Sequence, residues 1–195
     1  KLIEPLTQDQ VNVLLRSVHR YRDLIVLLLM LFCGLRSMEV RGLKLDNVSL
    51  TERHLRVHGK GNKERMLPLP ETLAVLIEKY LRMERPAQGC GDELLVVLQG
   101  ANRGRRLTAS GVRSLFRQRR HSPDLKNANA HRLRHTFGAS MARSGVKLPV
   151  LQRLMGHSDP LVTLQYIQLS MVDVVDEYHA AIRMIESRYD QNLRS

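Results

Sequence analysis

The segment 130–136, AHRLRHT, concentrates two arginines and two histidines in seven residues and contains no acid. On a helix, His131, Arg134 and His135 fall at positions i, i+3 and i+4 and therefore share one face. Like charges placed together cost free energy unless an anion joins them. The pattern therefore predicts a site for an anionic group.

Four more residues whose side chains could take part in a reaction lie at predicted turns or at the ends of predicted elements. Arg36 begins a short helical segment, Lys60 lies at a hairpin tip, His157 follows a helix-stopping glycine, and Tyr166 comes soon after it. Taken singly, a surface cation is usually solvated, and a tyrosine usually packs with its hydroxyl in water. Together with the basic cluster, they indicate stabilisation of a pentavalent phosphorane.

That chemistry needs three kinds of group. Two guanidiniums can clamp the non-bridging oxygens of a phosphate in bidentate fashion. A phenol, whose pKa is about 10, becomes a useful nucleophile only when a neighbouring imidazole takes its proton or stabilises its anion. A lysine on a mobile loop can protonate the departing 5′-oxygen. The sequence offers no carboxylate cluster suited to Mg²⁺, so neither a metal nor another cofactor is expected.

Composition indicates the partner. The 195 residues carry a formal net charge of +12, and 43% of them are hydrophobic. This composition favours a globular domain that binds a polyanion, and nucleic acid is the favoured polyanion. Aromatic residues make up only 4% and tryptophan is missing, which favours duplex DNA over a single strand held by base stacking. The alternative is a basic surface that is merely solvated.

Hydrophobic periodicity and turn residues predict a mainly α fold with a small three-stranded antiparallel β-sheet (α+β). A capping box begins the first helix. The predicted helices cover 7–19, 21–33, 36–43, 71–83, a segment after Thr108, 131–143, 149–155 and 160–168. The predicted extended segments cover 44–50, 54–58 and 65–69, the last two joined by a hairpin at 59–64.

Residues 103–120 are rich in arginine and contain no acid. Val112, Leu115 and Phe116 form the predicted inner face of a helix, which leaves a basic outer face suited to a DNA groove. A solvated face is the alternative. The predicted DNA-contacting residues, including two from the hairpin, are Lys63, Arg65, Arg103, Arg105, Arg106, Arg113, Arg117, Arg119 and Arg120.

Five ordered segments resemble the motifs of the tyrosine recombinases, also called the phage integrase family. They are CGLRSMEVRGL (33–43), GKGNKER (59–65), HRLRHTFGASM (131–141), LMGHSD (154–159) and TLQY (163–166). The resemblance spans almost the whole chain and is strongest to the Xer-like and transposon-integrase branch. It implies the catalytic-domain fold of that family and site-specific DNA recombination through a 3′-phosphotyrosyl intermediate, independent of metal and ATP.

The resemblance also implies a role for each catalytic candidate. Arg36 and Arg134 would clamp the phosphate, and His157 would hydrogen-bond a non-bridging oxygen. Tyr166 would attack phosphorus, and His131 would help to activate it and contact the phosphate.

Four further residues receive supporting or contested roles from the resemblance. Lys60 would be the general acid for the 5′-hydroxyl, with Lys63 in the same turn as its rival. Glu39 would orient its active-site partners rather than react. His135 would pack behind the site.

The family resemblance further implies double-stranded DNA as partner and a homotetramer assembled on two DNA sites. We expect a catalytic domain over residues 1–170 and a C-terminal tail helix over 171–195 that docks on a neighbouring subunit or folds back on its own chain. The family's N-terminal core-binding domain is not part of this sequence, so the chain alone is expected to bind DNA weakly and to be monomeric.

The expected location is the cytoplasm. The two cysteines, Cys33 and Cys90, show neither metal spacing nor a disulfide framework, which fits a reducing compartment. No membrane association is expected, because the longest apolar run, 24–35, is too short to cross a bilayer and is typical of a core helix.

Two other functions remain open at this stage. A type IB topoisomerase would use the same nucleophile and phosphate clamp to relax supercoils without a second DNA site. A non-catalytic DNA-binding protein would use the arginine-rich helix alone, but this function leaves the joint presence of Arg36, Lys60, Arg134, His157 and Tyr166 unexplained.

Overall fold

The computed structural model describes residues 4–59 and 64–156, together with Tyr178. Its helices are α1 (Gln8–Arg16), α2 (Tyr21–Phe32), α3 (Ser37–Gly42), α4 (Glu71–Met83), α5 (Ala109–Arg117), α6 (Ala130–Arg143) and α7 (Leu148–Met155). Its strands are β1 (Val48–Ser49), β2 (His54–His58) and β3 (Glu64–Pro68), paired antiparallel in that order. The predicted mainly helical fold with a three-stranded antiparallel sheet is confirmed.

Helix α2 forms the centre of the core. Six consecutive residues, Ile25 to Met30, are buried, because α4 and α6 both pack against this helix. A helix that is apolar on all sides is stable only when neighbours cover every face. The apolar run 24–35 is therefore a core element, as predicted. Within the described residues, no helix has both the length and the apolar character needed to cross a membrane.

Local capping sets the start of the helices that carry the site. Thr7 Oγ1 accepts from the Gln10 backbone N–H at 3.2 Å, and the Gln10 side chain accepts from the Thr7 N–H at 3.1 Å, which completes the predicted capping box of α1. Thr108 caps α5 and Asn129 caps α6 through a side-chain oxygen that accepts from the backbone N–H three residues on. Gly156 ends α7 in the left-handed conformation, with φ +62°.

Two predicted boundaries were wrong. Helix α1 ends at Arg16 rather than near His19, because the Ser17 hydroxyl donates to the Leu14 carbonyl and the Ser17 carbonyl is held by Arg119. The segment 44–50 is not one continuous extended stretch: Lys44 forms an isolated antiparallel bridge with Glu93, and β1 follows only after a short 3₁₀ turn. The Asn47 side chain closes this turn by accepting from the Lys44 N–H at 3.0 Å.

The turn after α2 positions the first candidate arginine. Gly34 adopts φ +63° and presses against the buried ring of Phe137 on α6. A Cβ at this position would lie 2.4 Å from Phe137 Cδ1. Only glycine permits this close approach, which brings the start of α3 next to α6.

We predict that Gly34→Ala lowers the free energy of unfolding measured in urea. The left-handed conformation costs an alanine about 1–2 kcal/mol, and the clash with Phe137 adds about 1–3 kcal/mol for overpacking. Gly145→Ala is the matched control, because Gly145 has φ +76° but a methyl group added there would meet no atom within 4 Å. Equal losses in the two variants would contradict the close approach.

Candidate active site

The buried carboxylate of Glu39 organises the predicted site. Its side chain is 2% exposed and lies on the first turn of α3. Oε2 accepts from the backbone N–H of Arg36 at 2.7 Å, and Oε1 accepts from the Arg36 guanidinium at 3.0 Å. Arg134 Nη1 from α6 lies 3.8 Å from Oε2. The carboxylate therefore draws together the two arginines predicted to clamp a phosphate.

A third arginine completes this cluster. Arg65 on β3 donates from Nη1 to Glu39 Oε1 and from Nη2 to Oε2, both at 2.9 Å. Burial raises the pKa of Glu39, but the hydrogen bonds from Arg65 and the Arg36 backbone and the charges of Arg65 and Arg134 outweigh it, so the pKa lies below its usual value. Three guanidiniums around one carboxylate leave a local charge of +2, which suits an anion.

The same three arginines hold the carboxyl end of α7. Arg65 Nε donates to the Leu154 carbonyl at 3.0 Å, Arg134 Nη2 to the Met155 carbonyl at 2.6 Å, and Arg36 Nη2 to the Gly156 carbonyl at 3.4 Å. Arg134 Nη1 also donates to the Gly34 carbonyl. The last carbonyls of a helix lack intrahelical partners and carry partial negative charge. The arginines satisfy them and fix the position from which the chain continues.

His131 and His135 lie one turn apart on α6, with their rings in edge-to-face contact and centroids 4.9 Å apart. Desolvation, followed by the charges of Arg134 and Arg36, lowers the pKa of His131. His135 is buried, and desolvation together with His131 and Arg134 lowers its pKa to about 4. Both imidazoles are therefore neutral at pH 7, and His131 is a competent proton acceptor.

An open cleft of about 1230 Å³ runs beside the cluster. It extends from the outer face of α5 and the loop before it to Ser37 on α3 and His131 on α6. Five of the predicted DNA-contacting residues line this cleft, namely Arg105, Arg106, Arg113, Arg117 and Arg120. Arg103 is exposed on the same loop.

Two predicted DNA-contacting arginines have a different environment from the one expected. Arg65 is 10% exposed at its side chain and is engaged with Glu39 and α7. Arg119 donates to Ser17 Oγ at 2.9 Å, to the Ser17 carbonyl at 3.2 Å and to the Leu115 carbonyl at 2.6 Å, which ties α5 to α1. Their guanidiniums serve packing inside the protein, so this placement does not support a DNA contact for either residue.

Arg41 was missed by sequence reasoning. Its pKa is lowered by desolvation and by the charges of Arg106 and Arg113, and its Nε has no hydrogen-bond partner among the described residues. Arg106 itself donates to the Arg41 carbonyl at 2.7 Å. Three arginines held close together in this way favour an anion at the cleft, but no sequence spacing links Arg41 to Arg106, which lies 65 positions away.

Four predicted site residues lie outside the part of the chain that the structure describes: Lys60, Lys63, His157 and Tyr166. The helix predicted over 160–168 lies outside it as well. The structure does describe residues adjacent to Lys60, Lys63 and His157 in the sequence. Lys60 and Lys63 connect β2 with β3, whose pairing runs to His58 and Glu64. His157 directly follows Gly156. The described residues contain no group of histidine, cysteine and carboxylate side chains that could hold a metal ion.

Comparison with known proteins agrees with this architecture. Residues 4–172 match the model of the phage integrase family. The chain belongs to the phage integrase family. This confirms the resemblance based on the five motifs.

Individual relatives are recombinases and integrases. The chain is 32% identical over 170 residues to the tyrosine recombinase XerA of Pyrococcus horikoshii, covering 87% of this chain and 58% of that protein. It therefore spans little more than half of this relative. A crystal structure of XerA recombinase superposes with a TM-score of 0.77 at 24% identity, covering 93% of this chain and 66% of that one. The Tn1549 transposon integrase in complex with transposon right end DNA gives 0.73 at 20% identity, covering 93% and 67%. These two likenesses show the shared fold.

We predict that the protein loses stability between pH 7 and pH 5. His135 has a folded pKa of about 4, whereas an unfolded histidine titrates near 6.5. The unfolded state therefore binds more protons in this window, so the free energy of unfolding falls as the pH falls. His135→Gln should flatten this dependence in urea titrations at pH 5, 6 and 7. If the free energy of unfolding of His135→Gln depends on pH as strongly as that of the wild type, the assignment of this dependence to His135 is contradicted.

Proposed function

We propose that this chain is the catalytic part of a site-specific DNA recombinase that cuts and rejoins duplex DNA through a 3′-phosphotyrosyl intermediate. The observation that carries the proposal is the convergence of Arg36 and Arg134 on one buried carboxylate, next to the neutral imidazole of His131. Two guanidiniums and a proton acceptor are the groups that a tyrosine attack on a phosphodiester requires. Family membership supports the same function.

The proposed reaction needs no external energy. The Tyr166 phenol oxygen bonds to phosphorus, and His131 helps to remove the phenolic proton. The bond between phosphorus and the 5′-oxygen breaks, and Lys60, or Lys63 as its rival, protonates that oxygen. Arg36 and Arg134 stabilise the charge of the phosphorane. Attack by the 5′-hydroxyl of another strand reverses these steps, so the phosphotyrosine conserves the energy of the original bond.

His157 has a supporting role in this proposal, as a hydrogen-bond donor to a non-bridging oxygen. It lies outside the described residues, but the three arginine contacts at Leu154, Met155 and Gly156 fix the backbone immediately before it.

Duplex DNA is the proposed substrate and the α5 cleft its binding surface. Arg113 and Arg117 are exposed on the outer face of α5, while Val112, Leu115 and Phe116 are buried beneath them. A cleft lined by cations attracts a polyanion and can hold its phosphates. The integrase of similar fold is described in complex with transposon DNA, which supports this choice.

Assembly and cell compartment form the remainder of the proposal. We infer a homotetramer on two DNA sites in the complete protein, acting in the cytoplasm, with the tail 171–195 docking on a neighbouring subunit. Apart from Tyr178, this tail lies outside the described residues. Type IB topoisomerase activity is the rival enzyme function. Relaxation of a supercoiled plasmid that lacks a recombination site would favour it.

The proposal predicts a covalent protein–DNA complex that depends on Tyr166. The protein is incubated with a nicked duplex carrying its element's end sequence, so that the short 5′-hydroxyl fragment diffuses away and the cleaved state accumulates. Wild-type protein should give a shifted band on a denaturing gel, and Tyr166→Phe should give none while binding DNA equally well.

Tyr178→Phe is the matched control, because this tyrosine is exposed and lies 12 positions after Tyr166 in the sequence. It should retain the shifted band. A band that persists in Tyr166→Phe would contradict the assignment of the nucleophile. Tight DNA binding without the shifted band would favour a non-catalytic DNA-binding protein, provided that a longer protein with the N-terminal residues of its relatives also gives no band.

The α5 surface predicts a change in the salt dependence of DNA binding. Arg113→Gln and Arg117→Gln should each weaken binding and reduce the slope of log K against log salt by about 0.9 for each phosphate that the variant no longer neutralises. Arg82→Gln, an exposed arginine on α4 that does not line the cleft, controls for the removal of one positive charge. Equal slopes in all three variants would contradict the proposed surface.

A further inference from the structure

Arg65 is held by protein groups at all three of its guanidinium nitrogens. Its Nη1 and Nη2 bind the two oxygens of Glu39, and its Nε binds the Leu154 carbonyl, with all three distances at 2.9–3.0 Å. Its side chain is 10% exposed, which lies between 4% for that of Arg134 and 39% for that of Arg36. A planar guanidinium whose three nitrogens all bind protein groups is well suited to position those groups.

These contacts join three elements that each carry part of the site. Arg65 itself lies on β3, one end of the hairpin that contains Lys60. Glu39 lies on α3 beside Arg36, and Leu154 lies near the end of α7, which leads to His157. One side chain thus sets the relative positions of three segments that are far apart in the sequence.

Charge gives Arg65 a second effect on the phosphate clamp. Glu39 is buried and its pKa lies below the usual value, so it is ionised at neutral pH. Its negative charge would otherwise be balanced by Arg36 and Arg134 alone, which would draw their guanidiniums toward it. With Arg65 in bidentate contact, the carboxylate is already paired, and two positive charges remain for a phosphate.

We propose that Arg65 is a positioning residue for DNA strand cleavage, which fixes Glu39 and the end of α7 without itself contacting DNA. This inference rests on the proposed recombinase function. It assigns to Arg65 a role different from the DNA contact that its place on a basic hairpin predicts.

The decisive experiment compares Arg65→Lys and Arg65→Gln with wild type in single-turnover cleavage of the nicked duplex at saturating protein. Lysine keeps the charge but cannot form two parallel bonds to a carboxylate and a third to a carbonyl. We expect cleavage by both variants to slow by about 100-fold, the scale on which small misplacements of catalytic groups act. The slope of log K against log salt for DNA binding should match that of Arg82→Gln.

A phosphate-contacting arginine would behave differently. Because the protein is saturating, both variants would then cleave at close to the wild-type rate, and Arg65→Gln would reduce the salt slope by about 0.9. Either result would overturn the proposal. Arg65→Gln removes a charged partner from the buried carboxylate of Glu39 and can destabilise the fold, so thermal unfolding of each variant is measured alongside cleavage. The double variant Arg65→Gln/Glu39→Gln replaces the ion pair with two neutral amides.

The double variant also tests the route of the effect. If Arg65 acts through Glu39, the double variant should cleave clearly faster than the product of the two single effects predicts, because the two residues work as a unit. Losses that multiply in full would show that Arg65 acts independently of Glu39 and would overturn this part of the inference.

Hydrogen exchange separates this inference from the function on which it rests. Amides at 151–156 should exchange faster in Arg65→Lys than in wild type, while those of α4 should not change, because the Leu154 carbonyl on α7 loses its hydrogen bond from Arg65. If neither this chain nor a longer protein with the N-terminal residues of its relatives forms a Tyr166-dependent link, the proposed recombinase function is contradicted whatever the exchange shows. Unchanged exchange at α7, when the wild-type protein does cleave, would contradict the role of Arg65.

Discussion

The ion pairs of one buried carboxylate hold the site together. Glu39 binds Arg65 in bidentate fashion, contacts Arg36 through backbone and side chain, and lies 3.8 Å from Arg134. A buried charge of this kind is stable only while its partners stay in place, and loss of one partner typically costs about 3–5 kcal/mol. The geometry of the phosphate clamp is therefore coupled to the stability of the fold.

Much of this arrangement could be predicted from local sequence patterns. Capping residues marked the starts of α1 and α5, and the apolar run 24–35 marked the core helix. The spacing of His131, Arg134 and His135 placed them on one face of α6, where the structure has them. These features depend on interactions within a few residues, which a single sequence displays directly.

The environments of Arg65 and Arg119 depend on tertiary packing. Arg65 stands two residues before buried Leu67 on β3, so strand alternation puts it on the inward face. Arg119 lies seven residues after Val112 and so continues the apolar stripe of α5 beyond the end of the helix. The strand alternation at Arg65 and the helical spacing at Arg119 both indicate an inward side chain. Their positive charge in a basic region favoured a DNA contact instead, because the carboxylate and carbonyl groups that they bind lie mostly far away in the sequence.

The most direct test of the account is identification of the residue that carries DNA after cleavage. Protein trapped on a nicked duplex is digested with nuclease and trypsin, and the peptide spanning 154–183 is fragmented by mass spectrometry, which distinguishes Tyr166 from Tyr178. The account predicts a nucleotide joined through its 3′-phosphate to Tyr166 and a 5′-hydroxyl on the released strand. A nucleotide on another residue, or a 5′-phosphate linkage, would contradict it.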